Sequence, residues 1–485
     1  MEFETRSTVE NEAQRCDSFE TGYWHGKDDL VENGPVPKIN WKDKASVSRR
    51  VGPVSAYHVL SIVGLVLLFA FAMSRFAYDA GRLFYPVNDL TPIWVSAKAF
   101  VAGRNPYSDY GELERIWATT GAPSAEGCLD YNCILQKYPM GYPPTALPLI
   151  ALFALVSLSA AVYDYLLGSV ALFAITVLML ARRLPPPWSS LRRLYFIAFT
   201  LALAPLHAGI HHSNLSTFVV ALLCLGVTFM EKRPYVSGTA LAISLCLKPQ
   251  VAFLFFAYPW LRRCWRTVAF ELIAVLTISA GSLFWLGVHH VEVIHAYLAS
   301  LAEFMPPGGH NSFYSPSPTR YSLINLQVLT YQFTRSPVMA NLLSWTLFLA
   351  LAVPSAFLVR SGVSAKNDGL GIAIVSVLTL LPVYQQIYTG AILLFVVYWA
   401  FQNWPRATAK AAIVLMLPLL FPLTAMTWQS ASLAEFVERH HLSSYFLWNA
   451  FVMPHVVWIE LFLVAILFTE LYGSVAKPRT LFLER

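Results

Sequence analysis

Long apolar runs separated by short polar or basic turns repeat along this chain from about residue 55 to residue 470. Crossing the hydrocarbon of a bilayer takes about 20 apolar residues in a helix. The pattern predicts spans at 55–73, 159–181, 194–211, 214–230, 234–247, 250–261, 267–288, 338–360, 370–384, 387–403, 411–427 and 447–470. Two stretches break inside their apolar pattern. Residues 234–261 form two short pieces around Lys248-Pro249-Gln250, which reads as a hairpin with the lysine at its outer tip. Residues 370–403 break at Pro382-Val383-Tyr384-Gln385-Gln386-Ile387-Tyr388. Broken backbone at membrane depth is tolerated where it lines a protein cavity.

Orientation follows from the basic turns. Lys38, Lys42, Lys44, Arg49 and Arg50 precede the first span and place the N-terminus in the cytoplasm. Arg182, Arg183, Arg192 and Arg193 then fall on that same side, as do Lys232 and Arg233, then Arg262, Arg263 and Arg266. Arg406, Lys410, Lys477 and Arg479 complete the set, so the twelve spans leave both termini inside and the large loops 74–143 and 289–337 outside. Residues 144–158 are apolar too. Counting them as a span would move the arginines of 182–193 outside, so they read as a re-entrant or interfacial helix. The expected fold class is an all-α polytopic membrane protein with about 12 transmembrane helices and two large extracytoplasmic loops.

Composition agrees: 56% of the 485 residues are hydrophobic and 13% charged, against about 25% charged in soluble domains. The formal charge of +6 is modest and gives no reason to expect a nucleic-acid partner. Residues 1–54 are polar and carry no signal-peptide core, and residues 1–34 read as disordered. The reading gives one membrane domain, 55–470, with a cytoplasmic N-terminal segment and a cytoplasmic tail, 471–485. Cys16, Cys224, Cys246 and Cys264 are scattered, whereas Cys128 and Cys133 share the first large loop and are a disulfide candidate if that loop is extracytoplasmic.

Candidate chemistry gathers at the predicted outer side. Asp89 opens the amphipathic segment 89–103, in which Ile93, Trp94, Ala97, Phe100 and Val101 form one stripe. That helix is expected to lie flat on the outer leaflet, with Asp89 as its N-cap, a reactive carboxylate, or both. Lys248 sits between two apolar half-helices. An ionisable group there is costly and marks function by default, with a lipid phosphate as its natural partner and snorkelling as the alternative. His207, His211, His212 and Asn214 read as a polar outer turn; no carboxylate or cysteine lies near enough in sequence to complete a metal site, and none is expected. Gln385, Gln386 and Tyr388 could bond sugar hydroxyls or satisfy one another. The Gly/Pro-rich loop bearing His310 and Asn311 leads to Arg320, whose forked donors suit a phosphate. Trp94, Tyr107 and Tyr142 are candidate faces for sugar stacking, although interfacial aromatic belts account for much of the 14% aromatic content.

These residues resemble a known family. The pattern Asp89…Ala97-x-Ala99-x-x-x-Gly103-x-x-Pro106-Tyr107 is similar to the first outer loop of glycosyltransferase family 87, membrane enzymes of GT-C fold that include polyprenol-phosphate-mannose-dependent mannosyltransferases. Tyr142-Pro143-Pro144 resembles the close of that loop, and Leu247-Lys248-Pro249 resembles the family's Lys-Pro break. Two departures stand out. The family's Gly-Gln-x-Asn turn reads His211-His212-Ser213-Asn214 here and keeps only the Asn, and Leu90 replaces an aromatic after the acid. The resemblance implies a hexosyltransferase of the cell membrane taking a sugar, mannose by expectation, from a polyprenyl-phosphate donor to a glycan, lipid or protein hydroxyl. Asp89 would be the general base of an inverting reaction, Lys248 with Arg320 or His310 would steady the departing phosphate, and no cofactor is implied. The rival reading is a transporter or flippase of polyprenyl-linked glycans, whose broken helices would look alike.

Overall fold

The computed structural model describes residues 56–82, 89–107, 110–119, 140–184, 190–309, 311–315, 318–361, 368–421 and 431–476. The chain divides into two units, residues 1–64 and 65–485. In the first, the described part is the beginning of helix α1. The second contains everything that follows.

The described residues are helical, with one isolated antiparallel bridge, Leu323 to Gln386. In chain order the helices are α1 (Ala56–Arg82), α2 (Leu90–Val101), α3 (Tyr110–Ala118), α4 (Leu158–Arg182), α5 (Ser190–Leu201), α6 (Ala204–His211), α7 (Ser216–Phe229), α8 (Pro234–Leu247), α9 (Pro249–Leu261) and α10 (Trp265–Val288). They continue as α11 (Val293–Phe304), α12 (Leu326–Thr334), α13 (Pro337–Arg360), α14 (Asp368–Leu380), α15 (Leu394–Gln402), α16 (Ala407–Met416), α17 (Ala431–Arg439) and α18 (His455–Ala476).

Among the described residues, five helices are long and apolar enough to cross a membrane: residues 59–81 of α1, then α4, α10, α13 and residues 455–473 of α18. The bent pair α5–α6, angled by 45°, makes a sixth if counted as one span. Among the described residues the remaining predicted spans form shorter helices, and residues 422–427 of the span predicted at 411–427 lie outside them, so the twelve-span layout is not reproduced as twelve full crossings. The reason is local chemistry. Proline at the first or second position opens α6, α8 and α9. Its missing N–H cannot continue the preceding helix, so each stretch stops and restarts.

The helices α7 and α8 pair as an antiparallel hairpin. Each has 14 residues, about 21 Å at 1.5 Å per residue. That falls short of the roughly 30 Å hydrocarbon thickness. At its turn end Arg183 donates to the Thr228 carbonyl (2.6 Å), Thr267 donates to the Met230 carbonyl (2.7 Å), and Arg262 pairs with Glu231 (3.6 Å). Three of the basic turns assigned to one side, those at 182–193, 232–233 and 262–266, are therefore brought together. The other end of the hairpin presents Ser216 and Lys248.

Two expectations change. The first helix does not end at 73 but runs to Arg82, so Asp79 belongs to it. The second concerns α2, which does not lie flat on a leaflet: ten of its twelve residues are buried. It is enclosed by α3, α4 and the 144–155 segment, a chain of short 3-10 and α turns. Trp94 Nε1 donates to the Val156 carbonyl (3.2 Å) and Trp285 Nε1 to the Phe100 carbonyl (2.8 Å). Small residues on the other face, Ser96 and Ala99, let neighbours close over the side that the hydrophobic stripe left open.

Gly103 ends α2 in a Schellman turn: its N–H reaches the Phe100 carbonyl, and the Arg104 N–H reaches the Ala99 carbonyl (2.8 Å). Its φ is +68°, and a Cβ there would lie 2.4 Å from the His289 ring. Gly103→Ala should lower stability by at least about 1–2 kcal/mol, the left-handed cost alone, read as a lower melting temperature in detergent.

Candidate active site

The site grows from the turn after α6. The Ser213 N–H bonds the Ile210 carbonyl (3.0 Å), and the Asn214 N–H bonds the Gly209 carbonyl (2.9 Å). This is again a Schellman pattern, with Ser213 rather than glycine in the left-handed position, φ 51°. Gly209 admits the returning chain, since a Cβ there would sit 2.4 Å from Thr217 Oγ1. From the side, the Tyr165 hydroxyl reaches the Asn214 carbonyl at 2.5 Å. Asn214 is thereby fixed before its side chain does anything.

That side chain joins the two strongest candidates from the sequence. Asn214 Nδ2 donates to Asp89 Oδ2 (2.5 Å), and Lys248 Nζ donates to Asn214 Oδ1 (2.5 Å). Lys248 also donates to Ser216 Oγ (2.7 Å), and the Ser216 N–H donates to Asn214 Oδ1 (3.0 Å). The amide orientation is forced: an ammonium and a backbone N–H can only donate, and a carboxylate oxygen accepts. Asp89 N donates to the His212 carbonyl (2.9 Å), tying the start of α2 to the same turn. Asp89 precedes α2, yet its side chain makes no capping bond. It is turned to Asn214 instead.

Lys248 is 5% exposed. It is the hinge between α8 and α9, with φ −141° and ψ 80°. Extended backbone is what a residue before proline favours. Tyr142 and Tyr388 flank its ammonium, at 5.5 and 5.0 Å from the ring centres. Burial and the neighbouring Asp89 charge hold the Tyr142 phenol well above its usual range, so it remains a neutral hydroxyl. Tyr107 fixes this wall by donating to the Tyr142 carbonyl (3.0 Å). Gln385 is also close by: its amide donates to the Gln250 carbonyl (2.9 Å), two residues beyond Lys248.

The profile of glycosyltransferase family 87 matches residues 141–383, just over half of the 485-residue chain. The chain belongs to glycosyltransferase family 87. Comparison with curated proteins and with solved structures finds no significant match. Membership makes this protein a membrane glycosyltransferase and decides against the transporter reading. The matched region contains Tyr142, Asn214 and Lys248, while Asp89 lies before it.

The other predicted residues of this family-87 protein are dispersed. The His212 ring lies 6.5 Å from that of Tyr388, beside the bridge. Asn311 sits elsewhere, accepting from the Tyr384 hydroxyl (3.1 Å). Arg320 donates to the Ser315 carbonyl (3.0 Å) and the Tyr321 hydroxyl (2.5 Å), and no contact joins it to Asp89 or Lys248. Trp94 is buried in helix packing, so it offers no open face for a sugar. His310, Cys128 and Cys133 lie outside the described residues. Among the described residues, no group of three His, Cys, Asp or Glu side chains could hold a metal.

Sequence reasoning missed Ser216, Tyr165 and Asp79. His207 does not face an outer turn; it is buried, with Nδ1 2.8 Å from Asp79 Oδ2. The carboxylate absent from its sequence neighbourhood arrives from α1, 128 positions away. The run Asn214-Leu215-Ser216 gave no signal for Ser216, a serine like many others in the chain.

Asn214→Leu should reduce sugar transfer by about 100-fold, since hydrogen bonds to charged groups contribute roughly 1.5–3 kcal/mol each. Ser213→Gly should leave transfer unchanged and raise stability by about 1 kcal/mol, by relieving the left-handed serine. Initial rates and thermal melts of the purified variants check both.

Proposed function

We propose that this family-87 enzyme moves a hexose, mannose in our reading, from a polyprenyl-phosphate donor to an acceptor hydroxyl, with inversion at the anomeric carbon. The observation carrying this is the Asp89–Asn214–Lys248 bridge, which holds a carboxylate and an ammonium on opposite ends of one amide. In direct contact they would neutralise each other. Separated by Asn214, one end can take a proton while the other meets an anion.

In this mechanism the acceptor O–H gives its proton to Asp89 as its oxygen forms a bond to the anomeric carbon. The anomeric C–O bond to phosphate breaks, and its electron pair leaves with the polyprenyl phosphate, which gains one negative charge. Lys248 faces that charge from a buried site, where preorganised electrostatics act most strongly. Attack and departure on opposite faces of the ring convert a β-linked donor into an α-linked product. The polyprenyl tail stays in lipid, and the shortness of the α7–α8 hairpin supports a sugar-phosphate received within the membrane depth. The protein belongs in the cell membrane, with its site toward the extracytoplasmic side and a GT-C-type arrangement. The reaction as written needs no metal. Neither Arg320 nor Trp94 has a part in it.

The test is transfer from polyprenyl-phosphate-mannose, labelled in the sugar, by the purified protein in nanodiscs with membrane lipid extract as acceptor. Asp89→Asn should lower the rate by roughly 10²–10⁴-fold, the usual share of a general base. Lys248→Met should lower it by roughly 10²–10³-fold. Equal rates in Asp89→Asn and wild type would remove Asp89 from the reaction. A product retaining the donor's anomeric configuration would remove direct displacement.

A further inference from the structure

A second polar locus lies beyond Tyr384, in the segment that the Gly/Pro-rich loop begins. It encloses a cavity of about 170 Å³. A cavity of roughly 150 Å³ already holds a six-membered ring. Two buried amides line it: Asn325 is 2% exposed and Gln327 is 6% exposed. The acceptor oxygens of both, Asn325 Oδ1 and Gln327 Oε1, have no hydrogen-bond partner. For Gln327 the orientation is fixed, since its Nε2 donates to the Pro382 carbonyl (2.8 Å). A buried acceptor left unmet costs about 1–3 kcal/mol, and such groups call for an explanation. Rings of Phe313, Tyr314 and Tyr384 also line it, and among the described lining residues none is charged.

That lining selects a class of ligand. Two bare carbonyl oxygens need donors, and aromatic rings suit the C–H faces of a pyranose. Among the described lining residues none offers a cation to a phosphate, a group that Lys248 serves instead. We propose that this cavity is the acceptor subsite: it takes a neutral, hydroxyl-rich sugar whose O–H groups donate to Asn325 and Gln327. The word acceptor rests on the transferase reading above. Continuity supports it. Tyr384 bonds Asn311 at the cavity (3.1 Å), while the adjacent Gln385 bonds the Gln250 carbonyl next to the Lys248 hinge. Gly141, beside Tyr142, packs on Phe304, whose ring meets that of Tyr384 at 5.6 Å. Tyr384, Phe304 and Gly141 thus link the cavity to the Tyr142 wall of the reaction site.

Saturation-transfer NMR on the full-length protein in nanodiscs tests this without requiring transfer. The probes are methyl α-D-mannopyranoside, methyl α-D-glucopyranoside and methyl β-D-galactopyranoside. At least one should give a signal with wild type and with Asp89→Asn, and that signal should fall about tenfold in Gln327→Leu. Should Gln327→Leu fail to fold, Asn325→Leu carries the same comparison, with melting curves verifying the fold. No signal from any probe with wild type overturns the proposal. So does a signal that persists in folded Gln327→Leu and Asn325→Leu. If wild type fails to transfer from polyprenyl-phosphate-mannose yet binds a probe through Gln327, the cavity stands and the donor chemistry above fails.

Discussion

One amide holds this site together. Asn214 donates to Asp89 at one end of its amide and accepts from Lys248 at the other, so both ends are used. A hydroxyl could do the same over a shorter reach, but a carboxylate or an ammonium in its place would repel one partner. The rest of the site can be described as the means of keeping that amide still. The Schellman turn fixes its backbone, Tyr165 clamps its carbonyl, and Ser216 supplies a second contact to both the amide and the lysine.

Lys248 explains why so much structure is committed to this point. Placing an ammonium where 5% of its surface is exposed is costly unless its donors are met. Here two donors are met by Asn214 and Ser216, and two aromatic faces lie near the charge. The lysine reaches that position because Pro249 stops α8 one residue earlier, at Leu247. Helix breaking and site formation are thus one event. A continuous helix would carry this lysine along its side and leave its ammonium to find lipid or a distant interface.

Asp79 and His207 apply the same rule away from the chemistry. A carboxylate near the end of an apolar span would be a liability alone. Paired with His207 at 2.8 Å, it ties α1 to the helix that ends in the Asn214 turn. The second locus, around Asn325 and Gln327, differs because its acceptors are left open rather than satisfied.

The sequence by itself determined the helical, lipid-embedded class, because apolar periodicity and a scarcity of charge leave no alternative solvent. It also marked Asp89 and Lys248, since an ionisable side chain amid apolar residues is legible from composition and neighbours alone. Proline positions told where helices stop. Helix lengths were less legible: an apolar run does not reveal whether lipid or protein surrounds it, so short buried helices read as full spans. The exposure of α2 was misread for the same reason, because Ala97 and Ala99 are compatible with water, lipid or a close neighbour. Only the tertiary structure could show that Asp89, Asn214 and Lys248 meet, that Asp79 completes His207, and that Arg320 and Trp94 are occupied elsewhere. Asp89 and Asn214 are 125 positions apart, Asp79 and His207 128, and even Lys248 lies 34 positions from Asn214. Hydrogen bonding is set by distance and angle in space, which one-dimensional spacing does not encode once the chain turns back on itself.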